Sequence, residues 1–417
     1  MINSPFFHRP GGSALLGFSI ITVIYIFSFL YRMAPASMAL DIAEELHFSV
    51  DEMSFIGSAT LLGFGLIQLP SGLLTDRLGG KKTLLLLTLL AGTSTVWFSM
   101  AESLGSITVS RLFTGIGVSA TIPCTAMLAR RFSPEVFARV CNAMYGLGAL
   151  GTIAAAAPLA MASTWLGWRN SMFLCGIFSL VLATLLLLFV HETQAKHVSS
   201  RQRQNLFCNI KNVVSHRHFW LLCTVYSGVM IAFFGFYGLW FGPYLVQACG
   251  LSKIEAGTVQ SIGAMASIAG MPVAAVLSDM VQSRKKIIVS MCCVSTLCIC
   301  LLAIFSGRLP VPCLILLAAL FTFCNGSAGL CFTSCKELFP IAIIGTAAGC
   351  LNTLQPLLGA ASQKLFGMLL VFCQSKGLDI AEAYGFSLLL YVTVLICASA
   401  ASFFIRETHP SVYQAKE

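Results

Sequence analysis

Long apolar runs alternate with short polar breaks from one end of the chain to the other. At about 20 residues per membrane span, the runs separate at charged or Gly/Pro-rich breaks into twelve candidate helices. The first six lie at roughly 14–36, 52–74, 83–101, 105–128, 138–162 and 170–190. The second six lie at roughly 219–247, 255–280, 287–306, 310–334, 342–372 and 384–405. A basic stretch from His191 to His218 parts the two sets. The pattern predicts an all-α membrane protein of twelve transmembrane helices. Its expected domains are a first set over 1–190, a linker over 191–218, and a second set with a short tail over 219–417.

Composition narrows the reading further. Hydrophobic residues make up 57% of the 417 and charged ones only 10%, against about 25% charged in a soluble domain. A soluble enzyme, a disordered chain and a nucleic-acid binder are excluded, because the net charge of +9 sits in connectors between apolar runs. Seventeen cysteines lie mostly inside those runs, as Cys292 and Cys331 do, and act there as small apolar residues. No metal, disulfide framework or other cofactor is expected, nor a cleaved signal peptide before the first run. Of the 25 Lys and Arg residues, 18 fall on one side of the spans and 5 on the other. The positive-inside rule then puts both termini in the cytoplasm, and the short connectors suit a bacterial inner membrane.

The two halves repeat a turn. Between spans 2 and 3 the chain reads Gly72-Leu-Leu-Thr-Asp76-Arg77-Leu-Gly79-Gly80-Lys81-Lys82, and between spans 8 and 9 Ala275-Val-Leu-Ser-Asp279-Met-Val-Gln-Ser-Arg284-Lys285-Lys286. Arg111-Leu-Phe-Thr-Gly115-Ile-Gly117 follows in span 4, and Gly167-Trp168-Arg169 leads into span 6. Together these motifs resemble the major facilitator superfamily over the whole chain. The resemblance implies two pseudo-symmetric six-helix bundles around a central site that opens alternately to either side. It also implies a gating role for Gly72, Asp76, Arg77, Lys81, Lys82, Asp279 and Arg284. Asp76 would pair with basic groups and with the N-terminus of span 11 when the cytoplasmic side is closed.

All sixteen acidic residues and all seven histidines fall in connectors or at span ends, while two arginines fall inside spans. A charge within a span is costly and usually faces a cavity or a partner. Arg32 follows Tyr31 in the expected outer half of span 1, with Tyr25 and Ser28 on its helical face and Pro35 beyond it to loosen the helix. With no acidic partner, a guanidinium fork there favours a carboxylate or phosphate. The Tyr31-Arg32 pattern, with Gln68-Leu-Pro-Ser-Gly72, is also similar to the organic-anion branch of the superfamily. Arg111 is the second candidate, although it could instead organise helix packing. Tyr237 and Trp240 in aromatic-rich span 7, Tyr145 in span 5, Asn325 in span 10, and Asn352 and Gln355 in span 11 complete the expected solute site.

The expected function is a secondary active transporter taking up a small organic anion or zwitterion, a carboxylate or an amino acid, by proton coupling or exchange. Export of drugs or of a siderophore is the alternative, weakened by the missing Gly-Pro pair in span 5 (Gly146 to Pro158). Expected partners are the solute and the lipid bilayer, not nucleic acid, and the carrier is expected to be a monomer. An enzyme has no support in any nucleophile–base pair or phosphate loop.

Overall fold

The computed structural model describes residues 12–132, 134–190, 206–339 and 344–409, and every regular element among them is a helix. Residues 191–205 of the expected linker and 410–417 of the expected tail lie outside the described residues. Eleven helical stretches are long and apolar enough to cross a bilayer. Span 5 is the twelfth. It is built from Pro134–Gly148, Leu150–Ala154 and the start of Ala157–Phe189, so no single piece is long enough. Gly167, at φ 81, separates its last piece from span 6. Spans 1, 4 and 10 are broken likewise: Gly12–Met33 with Pro35–Leu46, Leu104–Gly117 with Thr121–Arg131, and Val311–Cys324 with Ser327–Leu338. The others are Val50–Leu78, Gly80–Met100, Lys253–Met280, Arg284–Ile304, Ile344–Ser375 and Ile380–Phe404. Span 7 runs from Arg217 to Ala248 and contains two π-helical segments, Ala232–Trp240 and Tyr244–Ala248.

The repeat is in register well beyond the turn. Spans 2 and 8 both begin with a complete capping box, Ser49 with Glu52 and Ser252 with Glu255, in which the serine side chain and the glutamate satisfy each other's backbone N–H. These boxes are 203 residues apart, as are Asp76 and Asp279. Gly79 and Gln282, again 203 apart, both take a positive φ, of 87° and 51°. The second turn thus keeps the left-handed backbone although its glycine has become glutamine, a conformation uncommon for a residue with a Cβ.

The motif glycines of span 4 explain themselves by close approach. A Cβ on Gly115 would fall 2.0 Å from the Thr60 carbonyl oxygen, and one on Gly117 would fall 2.4 Å from the Ala91 nitrogen. Small residues let spans 2, 3 and 4 touch backbone to backbone. Trp168 and Arg169 serve the other end of the bundle. Both donate to Glu45 at 2.6 Å, and Arg169 Nη1 also donates to the carbonyls of Ser99 and Ala101 that end span 3.

The ends of the molecule differ. At the end that carries the acidic first connector, Lys253 pairs with Asp41, Lys364 pairs with Asp51 at 2.6 Å, and the Ala157 N–H donates to Ser261 Oγ. Gly242 lies so near Ala36 that a Cβ would come within 1.8 Å of its carbonyl oxygen. These contacts join spans 1, 2 and 5 of one bundle to spans 7, 8 and 11 of the other. Toward the basic end the glycines of spans 2, 5 and 11 have open space beside them. A Cβ on Gly146 or Gly349 would meet nothing within 4 Å, and one on Gly72 would meet only Ile122, at 3.9 Å. Ion pairs between the bundles are thus found at the acidic end.

Candidate functional site

Span 1 continues to Leu46 instead of ending near 36, because the chain resumes its helix after Pro35. Arg32 stands just past the middle of that longer span, in the half toward the acidic first connector. Its guanidinium lies between the bundles, with the rings of Phe29, Phe64 and Phe234 at 4.0, 4.6 and 5.5 Å from its carbon. Those rings come from spans 1, 2 and 7. Nε donates to the Ser28 carbonyl at 3.0 Å and Nη2 to Ser28 Oγ at 3.3 Å, while Nη1 makes no hydrogen bond. The side chain is 6% exposed, and no carboxylate among the described residues pairs with it.

Phenols surround this charge. Tyr25 and Tyr226 lie in its electrostatic range. Tyr25 packs against Tyr145 with ring centroids 5.8 Å apart, and Tyr145, 38% exposed, shares a 2.9 Å hydrogen bond with Thr125. Tyr226 donates to Asn352 Oδ1 at 2.5 Å. One turn further along span 11, Gln355 is buried with its Nε2 unpartnered. Asn325 stands in the break of span 10 with a buried, unpartnered Oδ1. The structure thus brings Arg32, Tyr25, Tyr145 and Asn352 together, and adds Tyr226, Phe29, Phe64 and Phe234, which sequence reasoning missed. An isolated aromatic in an apolar span gives no signal of its own.

Four expected residues point elsewhere. The Tyr31 hydroxyl meets the Cys175 carbonyl at 2.8 Å and Ser179 Oγ at 2.7 Å, inside the first bundle. Tyr237 donates to the Gln260 carbonyl of span 8 and is stacked between Phe233 and Phe241. Trp240 Nε1 donates to the Gln363 carbonyl of span 11 at 3.1 Å. The π-helical stretch causes this. Its i→i+5 bonds rotate the face that an α-helical spacing assigns to the cavity.

Arg111 is the fourth. Its Nη2 donates to the Tyr31 carbonyl at 3.1 Å, its carbon lies 5.1 Å from the Phe98 ring, and it is 1% exposed. In an unbroken helix that carbonyl would accept from the N–H of residue 35. Proline has no N–H. Arg111 supplies the missing donor, so it mends the break in span 1 from span 4.

The repeated turns also differ. Asp76, Arg77 and Lys82 are exposed, Gly72 is half-buried, and Lys81 Nζ donates to the Leu187 carbonyl at 2.9 Å. In the second copy, Arg284 pairs with Asp279 at 2.6 Å and with Glu337 at 3.6 Å. Glu407, just past span 12, accepts from Ser283 Oγ and from the backbone N–H groups of Arg284 and Lys285 that open span 9. Burial works against its charge, but the bonds from Ser283, His409, Arg284 and Lys285 outweigh that and hold its carboxyl below the usual range.

Comparison with known proteins agrees with this architecture. The chain is 23% identical over 431 residues to a D-galactonate transporter of Escherichia coli O6:H1, covering 95% of this chain and 96% of that protein. It is 25% identical over 239 residues to a nitrite extrusion protein of Bacillus subtilis, covering 57% of this chain and 59% of that protein. The crystal structure of a bacterial homolog of the human lysosomal transporter Spinster, inward-facing and unoccupied, superposes with a TM-score of 0.78 at 15% identity, over 95% of this chain and 97% of that one. A family model described as the Major Facilitator Superfamily matches residues 21–363. On that match the chain belongs to the major facilitator superfamily, and it is a membrane transporter, not an enzyme.

Proposed function

We propose that the protein takes up a small organic anion or zwitterion, a carboxylate or an amino acid, by alternating access, and that Arg32 is the counter-charge of the solute. The observation that carries this is a guanidinium held between the bundles with a free Nη1 and no carboxylate partner among the described residues. A buried cation without a partner is costly, and a carboxylate that supplies the partner binds there preferentially. The similarity to a D-galactonate transporter, a carrier of a sugar acid, supports the same class. Tyr25, Tyr145, Tyr226, Asn352 and Gln355 complete the site, and Asn325 stays with it as an unpartnered polar group at the break of span 10.

In this reading the basic end is cytoplasmic, in a bacterial inner membrane, and the monomer is open inward. The six-helix units are 1–190 and 219–417, joined by 191–218. The seven gating residues then act at the mouth. Asp76 is released in this state and pairs across the bundles when the mouth closes, so its pairing biases the two populations. Coupling is by a proton or by exchange of anions, and counterflow across a pH gradient distinguishes them. Export is the outcome if labelled solute leaves energised vesicles instead of entering. The decisive experiment is uptake of labelled D-galactonate, nicotinate and glutamate into proteoliposomes. Arg32→Ala abolishes uptake of the transported acid while the variant still inserts and folds. Wild-type uptake in that variant would move the site elsewhere.

A further inference from the structure

We infer that the central site selects a monocarboxylate with a flat, largely apolar body, an aryl acid shaped like benzoate or nicotinate, over polyhydroxylated sugar acids and over dicarboxylates. This rests on the anion reading above and narrows it.

The charge comes first. Among the described residues, Arg32 is the one cation held near mid-depth between the bundles. Arg111 is engaged by the Tyr31 carbonyl and sealed inside the first bundle. A monocarboxylate neutralises the site, whereas a dianion brings a second charge into a low-dielectric centre with no partner to meet it.

Shape follows from how the guanidinium is held. The phenyl rings of Phe29, Phe64 and Phe234 lie around its carbon, and among the described residues Nη1 has no hydrogen-bond partner. A carboxylate that meets a guanidinium fork to fork lies in its plane. The body attached to that carboxylate therefore continues between the same aromatic walls, where a flat ring packs offset or edge-on and a puckered polyol does not.

The supply of polar partners decides between the remaining classes. Of the nearby hydroxyls, Tyr25 is turned to Thr121, Tyr226 is committed to Asn352, and Tyr145 and Thr125 are committed to each other. The donors left on span 11 are the Asn352 amide nitrogen and Gln355 Nε2. Two amides serve one ring heteroatom or a single hydroxyl. They fall short of a sugar acid, each of whose buried, unpaired hydroxyls weakens binding.

The test is titration of the purified full chain in nanodiscs with benzoate, nicotinate, D-galactonate and galactarate, read by calorimetry and by melting temperature. The expected result on the wild type is a dissociation constant for benzoate or nicotinate at least tenfold below those of D-galactonate and galactarate. Arg32→Gln abolishes the aryl-acid binding, and Phe64→Leu weakens it severalfold. If D-galactonate or galactarate binds more tightly than either aryl acid, and Arg32→Gln abolishes that binding, the selectivity is overturned and the anion reading stands. If none of the four acids binds, this inference is overturned and the uptake assay decides the anion reading; if binding survives undiminished in Arg32→Gln, both are overturned. The ranking is read on the wild type, so it does not depend on how any variant folds.

Discussion

Arg32 and Arg111 belong to the same bundle, are both almost fully buried and both lie against phenyl rings, yet Arg111 reaches from span 4 to a carbonyl of span 1, with its Nε left unpartnered, while Arg32 bonds only within its own helix. Arg111 answers a defect made by the chain itself, the carbonyl of Tyr31 that Pro35 cannot satisfy. Arg32 answers nothing beyond Ser28, one turn back on its own helix. The lesson is that an arginine inside a span becomes a site candidate only after the backbone around it has been searched for an orphaned acceptor. The same contrast recurs at the basic end. The second-half turn commits Asp279, Arg284 and Glu407 to one network, while Asp76 of the first half is exposed.

Breaking the uncommitted side of the comparison has the largest expected effect. Truncating one partner of a buried charge pair costs about 2–5 kcal/mol of binding, so Arg32→Gln, at a loss of about thirtyfold or more, takes the acid below detection in the titration. Its ligand-free melting temperature changes little, because the wild-type charge has no carboxylate to lose. A large fall in that melting temperature, with the affinity retained, would make Arg32 a second structural arginine. On the committed side, Arg111→Met leaves the Tyr31 carbonyl buried without a donor and costs about 1.5–3 kcal/mol of stability. Pro35→Ala offers that carbonyl a backbone N–H. The double variant is therefore more stable than Arg111→Met alone, a coupling that thermal unfolding of all four proteins reads directly. Strictly additive effects would mean that Arg111 does not mend the break.

Much of this was legible in the sequence. Apolar run length and the basic turns located the spans, and the repeat located the two halves, because a bilayer leaves few ways to bury a backbone. Arg32 was legible because a charge among apolar residues is conspicuous. The Ser49 and Ser252 capping boxes were equally readable, as Ser-x-x-Glu before an apolar run, and would have shown the 203-residue register independently. Tyr237 and Trp240 were misplaced because no local spacing reveals a π-helix, and span 5 was expected to be continuous although Gly148 and Pro158 flank its interruptions. Tyr226, Phe64 and Phe234 became visible only when the bundles were brought together, since what qualifies them is distance to a residue far away in the chain.

The smallest effect sharpens the contrast between the turns and carries a pH signature. Glu407 is held below the usual carboxylate value of 4.5 by hydrogen bonds that favour its charged form over the cost of its burial. A group whose folded pKa is depressed stabilises the fold above its unfolded pKa and loses that contribution as the pH falls through the folded value. Glu407→Gln is thus expected to lower stability by about 1 kcal/mol near neutral pH, the worth of a partly exposed, charge-assisted bond network. The gap from wild type stays constant down to about pH 5 and narrows below the unfolded pKa of about 4.3. Asp76→Asn, measured beside it, has no comparable network to lose, and its melting temperature follows the wild type over the whole range. Unfolding curves of the three proteins between pH 7 and pH 3.5 check this. A gap that is independent of pH would mean that Glu407 acts through its shape alone, and the second turn would then be committed by packing and not by charge.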